Sequence, residues 1–162
     1  MIRTTILVLT VACAAQPAAA QDRYVGVVVG TAHVGTGDLN DVNPGVTFGR
    51  RWDAARPGWE WHVEGGVFYN SYREVSPIVL AGLSAPLTRV PGGELRGALS
   101  VGTAYYDELA NEISDIPNLE GFIPLATATL AYRREQAEYR LTLLPTADDV
   151  DAVINLSVAI PF

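Results

Sequence analysis

At 162 residues the chain has room for one domain, and its net charge of −7, from 18 acidic against 11 basic residues, argues against nucleic acid, which needs a basic face. Mean hydropathy is positive, yet beyond the first twenty residues no apolar run approaches the roughly 20 residues of a membrane helix. A soluble periplasmic domain and a β-barrel are the classes left.

Residues 1–20 read as a secretory signal. Arg3 is a short positive start, Ile6 to Ala15 an apolar stretch too short to span a bilayer, and Ala18-Ala19-Ala20 a small-residue cleavage site before Gln21. A rival cut before Cys13 would attach lipid there, but Leu9-Thr10-Val11-Ala12 makes a poor lipobox. Cleavage after Ala20 removes the one cysteine and, with Arg3, moves the net charge from −7 to −8. Residues 21–162 would then form the mature domain, without thiol chemistry.

Eight strand-like segments follow, most alternating with period two. The first, Tyr24–His33, sets Val25, Val27 and Val29 against Gly26 and Gly30; the second, Gly45–Trp52, has Val46, Phe48 and Trp52 in phase. The third, Trp59–Asn70, sets Trp59, Trp61, Val63, Val67 and Tyr69 against Glu60, His62, Glu64 and Asn70. The fourth, Ile78–Leu87, carries Val79, Ala81, Leu83, Ala85 and Leu87 on one face; the fifth, Leu95–Tyr105, sets Leu95, Leu99, Val101 and Tyr105 against Arg96, Ser100 and Gly102. The sixth, Phe122–Arg133, has no clear phase. The seventh, Tyr139–Leu144, sets Tyr139, Leu141 and Leu143 against Arg140 and Thr142, and in the last Ile154, Leu156, Val158, Ile160 and Phe162 alternate with small or polar residues.

Strands with one oily and one wet face suit a wall between lipid and lumen, and closure removes the edges that hydrocarbon cannot satisfy. The fold class expected is all-β: an eight-stranded antiparallel up-and-down transmembrane β-barrel. Aromatics near strand ends predict two girdles: Tyr24, Trp52, Trp59, Trp61, Tyr132, Tyr139 and Phe162 at one rim, and Tyr69, Tyr72, Tyr105, Tyr106 and Phe122 at the other. With both termini periplasmic, the short turns Asp53–Gly58, Thr88–Glu94 and Arg134–Glu138 face inward to the cell. The outer loops Val34–Pro44, Ser71–Pro77, Asp107–Gly121 and Pro145–Asp151 are strongly acidic.

His33 and Ser71 fall at the outer ends of the first and third strands, with Asn70 beside Ser71. A histidine near a serine can activate the hydroxyl, and a polar neighbour can orient the imidazole. A merely solvated histidine is the competing reading. Both residues continue apolar phases, so a strand must end, bulge or twist if they are to meet over the lumen. His62 shares a face with Glu60 and Glu64, and Arg96 and Arg140 also point inward; an ion-paired plug is favoured there over metal or catalysis. The Asp148, Asp149 and Asp151 group could hold a divalent cation but lacks calcium-loop spacing, so a solvated loop is favoured, and neither metal nor cofactor is called for.

The runs Leu39-Asn40-Asp41-Val42-Asn43-Pro44-Gly45, Phe48-Gly49, Arg51-Trp52-Asp53, Val67-Phe68-Tyr69-Asn70-Ser71-Tyr72, Ile123-Pro124-Leu125-Ala126 and Leu143-Leu144-Pro145, with terminal Phe162, resemble the outer-membrane lipid A palmitoyltransferase family (PagP). A closing strand that ends in Phe also resembles what outer-membrane proteins present to their insertion machinery. The resemblance implies an enzyme that moves an acyl chain from phospholipid to lipid A, with His33 and Ser71 matching the family's functional His and Ser. The family's Asp falls on Asn70, which can orient a neighbour but cannot serve as a carboxylate. Implied partners are membrane lipids, both lipopolysaccharide and phospholipid, for a monomer in a bacterial outer membrane. The alternative is a non-enzymatic barrel that stabilises the membrane or binds a partner through its acidic loops.

Overall fold

The computed structural model of the chain describes residues 23–35, 39–107, 118–144 and 152–162. The proposed signal segment and Cys13 lie outside them, as do much of two outer loops and the Asp148–Asp151 acids. The strands are β1 (Arg23–Val34), β2 (Gly45–Asp53), β3 (Glu60–Tyr69), β4 (Val75–Val90), β5 (Gly93–Tyr105), β6 (Phe122–Arg133), β7 (Glu138–Leu144) and β8 (Ala152–Pro161). Each pairs antiparallel with its sequence neighbours, and β8 returns to β1, so the sheet closes. Fourth and fifth strands run longer than the alternation implied, because Pro91 and Gly92 make a tight turn between them in which Gly92 takes φ +78°.

Burial is inverted relative to a soluble protein. The outward face is a band of Val46, Phe48, Val63, Val67, Val79, Leu99, Val101, Leu141, Leu143, Leu156 and Ile160, all exposed. Among the described residues the buried set is mostly polar: Asn43, Thr47, Arg51, Asn70, Ser76, Ser84, Arg96, Ser100, Thr127 and Glu138. Water penalises so large an apolar surface, whereas lipid does not. The sixth strand resolves cleanly: Ile123, Leu125, Thr127 and Ala131 point inward while Phe122, Pro124, Ala126, Ala128 and Leu130 point out. Its phase is hard to read because both faces are largely apolar.

Two aromatic placements are corrected. Tyr106, expected in the outer girdle, borders the lumen cavity and packs against inward Ala104, Ile123 and Leu125. Tyr24 is not in a rim girdle; it is 1% exposed inside the barrel. Its position one residue before Val25 puts it on the Gly26 face, opposite Gly49, where a Cβ on the glycine would collide with the tyrosine ring. The ring covers the glycine much as aromatic residues rescue glycine in sheets.

A β-bulge shapes the outer end of β1. Val28 pairs with Ser157 but Gly30 pairs with Leu156, so Val29 is an extra residue. A single insertion reverses the side-chain alternation beyond it. Tyr24, Gly26 and Val28 face the lumen before the bulge; Thr31 and His33 occupy that face after it.

Candidate functional site

The lower half of the lumen is lined by one connected polar network. Glu94 pairs with Arg96 at 2.7 Å, Arg96 with Glu60 at 3.3 Å, and Glu60 with Arg133 at 2.8 Å. Arg133 then meets Glu138, which also takes Arg51 at 3.0 Å and Arg140 at 2.7 Å. Arg140 continues to Glu64 at 2.8 Å, and Glu64 accepts from Thr47 at 2.6 Å and Tyr24 at 2.8 Å. Arg51 and Arg140 also stack on the Tyr24 ring, 4.3 and 4.6 Å from its centre. Four arginines therefore face four glutamates, the neutrality that buried charge requires. The expected inward set of Glu60, Glu64, Arg96 and Arg140 belongs to it; Tyr24, Thr47, Arg51, Glu94, Arg133 and Glu138 are the members that sequence reading missed.

His62 sits above this network. Its Nε2 lies 2.9 Å from Ser100 Oγ across Gly82, which pairs with both residues and leaves room for the bond. A cavity of about 140 Å³ runs through the lumen, bordered by Tyr24, Glu64 and Arg140 of the network and, toward the outer end, by Phe68, Ile78, Leu80, Tyr106 and Ser71. Burial among these rings holds the Tyr106 phenol protonated well above its ordinary range.

At the cavity mouth three chain segments converge. β1 supplies His33, the run entering β2 supplies Asp41 and Asn43, and the turn after β3 supplies Ser71. Ser71 Oγ is 2.8 Å from His33 Nε2, and His33 Nδ1 is 2.7 Å from Asp41 Oδ1. The imidazole side chain is 4% exposed, while the carboxylate is 66% exposed. Backbone bonds tie the segments together: Thr31 N donates to Asp41 O at 3.0 Å, Asn40 N to Ser71 O at 3.3 Å, and Tyr69 N to Pro44 O at 2.9 Å. Asn40 caps its own turn, accepting from Val42 N at 3.2 Å.

The structure thus brings His33 and Ser71 together, through the bulge in β1 and the end of β3. It does not bring Asn70 to the imidazole. The Asn70 side chain is fully buried and organises the turn instead: Oδ1 accepts from Tyr72 N and Glu74 N, both at 2.9 Å, and Nδ2 donates to Ser76 Oγ at 2.9 Å. Ser76 in turn donates to Tyr105 O. These bonds hold a turn in which Arg73 takes φ +65°, a conformation that costs a non-glycine residue energy. Asn70 thereby fixes the turn that carries Ser71, and the side chain that meets the imidazole is Asp41. Asp41 lies eight residues from His33, and two residues before inward Asn43, a spacing that a strand continuing past Gly45 would have disclosed.

A hydroxyl, an imidazole and a carboxylate in this order are the elements of a nucleophile with its general base. The chain matches no protein-family model and no curated relative. Among solved structures, a de novo designed transmembrane β-barrel is 18% identical, covering 87% of this chain and 95% of that one, with a TM-score of 0.55. The outer membrane protein Ail of Yersinia pestis matches in phospholipid nanodiscs at 11% identity, covering 88% and 100% of the two chains with a TM-score of 0.46. A crystal structure of Ail, the attachment invasion locus protein, matches at 14% identity, covering 88% and 97% with a TM-score of 0.43. The designed barrel shares this chain's fold, which makes the chain an eight-stranded barrel of the transmembrane type.

Proposed function

We propose that this chain is a bacterial outer-membrane enzyme that removes or transfers the acyl chain of a membrane-lipid ester, phospholipid or lipid A, at the outer leaflet. The observation that carries the proposal is the Asp41–His33–Ser71 chain of 2.7 and 2.8 Å contacts at the mouth of a partly apolar cavity. Ser71 Oγ attacks the ester carbon as His33 Nε2 takes its proton, the alkoxy oxygen leaves with that proton, and an acyl-serine remains. Water or a lipid hydroxyl then attacks the acyl-serine with His33 again as base, restoring Ser71. Asp41 holds the tautomer that presents a bare Nε2. Phe68, Ile78 and Leu80 offer the acyl chain an apolar wall beside the nucleophile. The likeness of the quoted runs to lipid A palmitoyltransferases points the same way.

Residues 1–20 act in this reading as the export signal, and the mature barrel works as a monomer. The exposed apolar band supports the membrane setting. The test uses purified protein with radiolabelled phospholipid and lipid A, comparing wild type with His33→Ala and Ser71→Ala. Acyl release or transfer by wild type alone is expected; equal turnover in all three, or none in any, removes the proposal.

A second reading is a non-enzymatic barrel that stabilises the membrane or binds a surface partner through acidic loops. The ion-paired lumen favours it, since a barrel packed by its own charges is a complete structural object. Lipid A of unchanged mass in cells with and without the protein would support it.

A further inference from the structure

Asn43 is not explained by the wall of the barrel. It is 1% exposed, on the inward face of the run that leads into β2, and it borders the cavity. Its Nδ2 donates to Tyr69 O at 3.0 Å and stands 3.5 Å from Ser71 Oγ, while its Oδ1 has no partner among the described residues. A carbonyl only accepts, so the Tyr69 contact fixes which end of the amide is nitrogen. One N–H is spent on Tyr69; the other is left beside the serine. At 3.5 Å it is too long to be a strong hydrogen bond to the resting hydroxyl.

We infer that Asn43 is a catalytic residue whose second amide proton stabilises the oxyanion formed when Ser71 attacks an acyl carbon. The inference rests on the acyl-ester reading of the same site. When the Ser71 Oγ–carbon bond forms, the Oγ proton passes to His33 and the carbonyl π pair moves onto oxygen. That oxygen is held on a carbon bonded to Oγ, so it comes within the donor's reach of about 2.7–3.1 Å. The pair returns as the alkoxy bond breaks and the leaving oxygen takes the proton from His33. A contact that is long at rest and short with the charged intermediate discriminates between the two, which is what accelerates a reaction. The preceding segment is already pinned to β1 and β3 by backbone bonds, so the amide need not reorganise.

The experiment follows hydrolysis of p-nitrophenyl butyrate by the barrel in dodecylmaltoside micelles, for wild type, Ser71→Ala, Asn43→Ala and the near-isosteric Asn43→Leu. Both Asn43 variants should lose about 10²–10³-fold in kcat, with KM within about two-fold and with unchanged heat-modifiable gel mobility. A structural role alone would lower folded yield and leave kcat per folded molecule intact. Wild-type kcat in either folded variant overturns the inference. Should neither variant fold, the wild type decides: with ¹⁵N-asparagine labelling, butylboronic acid bound to Ser71 should move one Asn43 side-chain amide proton downfield, and a stationary pair of amide protons overturns the inference. Wild type no faster than Ser71→Ala defeats the acyl-ester reading first, a result distinguishable from failure at Asn43 alone.

Discussion

The barrel contains two serine–histidine pairs at nearly the same separation, and their surroundings set them apart. Ser100 and His62 lie 2.9 Å apart in mid-lumen, next to the ion-paired network of the lower half. Ser71 and His33 lie 2.8 Å apart at the mouth, where Asp41 holds the far nitrogen of the ring and Asn43 stands beside the hydroxyl. In the proposed acyl-ester reading, closeness of serine to histidine is not what distinguishes the reactive pair. A carboxylate behind the ring, a donor beside the hydroxyl and an opening toward substrate do.

The comparison is broken most forcefully at the mouth. Ser71→Ala or His33→Ala should lower acyl release by about 10³-fold or more, roughly 4 kcal/mol of transition-state stabilisation, measured on p-nitrophenyl butyrate or on labelled phospholipid. Next comes the lower half. Glu138 is almost wholly buried and holds three arginines, so Glu138→Gln leaves them under-compensated and should cost about 3–5 kcal/mol in urea unfolding from micelles, with little direct effect on kcat per folded molecule. Gly49→Ala, which drives a methyl into the Tyr24 ring, should cost about 1–3 kcal/mol in the same assay. Asp41→Asn should slow turnover by about 10–100-fold, below the roughly 10⁴-fold seen when a buried triad carboxylate is neutralised, because the Asp41 carboxylate is two-thirds exposed and water shares its task. Smallest of all, Ser100→Ala should leave turnover within about two-fold; a loss as large as that of Ser71→Ala would reverse the assignment of the two pairs.

The architecture was readable in the chain because lipid imposes a strict rule on it. Seven of the eight strands alternate visibly, and the eighth to be understood, Phe122–Arg133, hides its phase by having Ile123 and Leu125 inside opposite Ala126 and Ala128 outside. The site was only half readable. His33 and Ser71 stand out as residue types at strand ends, yet their parity points them at lipid, and no local signal around Val28-Val29-Gly30 announces a bulge. Asp41 looked like one acid among many in an acidic loop, since its value depends on the run 40–44 lying between β1 and β3. Arg51 and Arg133 were passed over for a related reason: each adjoins another arginine, and only pairing register decides which of Arg50 and Arg51, or Arg133 and Arg134, enters the lumen.

Val29 carries a consequence larger than its size. Deleting that one valine would make β1 alternate strictly and still leave His33 on the lumen face, because Val28 and Gly30 would become neighbours without changing partners; pairing Val29 in register instead of bulging it would turn the imidazole to the outside. Which face His33 takes is thus decided by whether β1 bulges as well as by its length, with His33 itself unchanged. Among related barrels, presence of the histidine would say little about chemistry; the count of residues between it and the preceding tyrosine, read together with the bulge, would say a great deal.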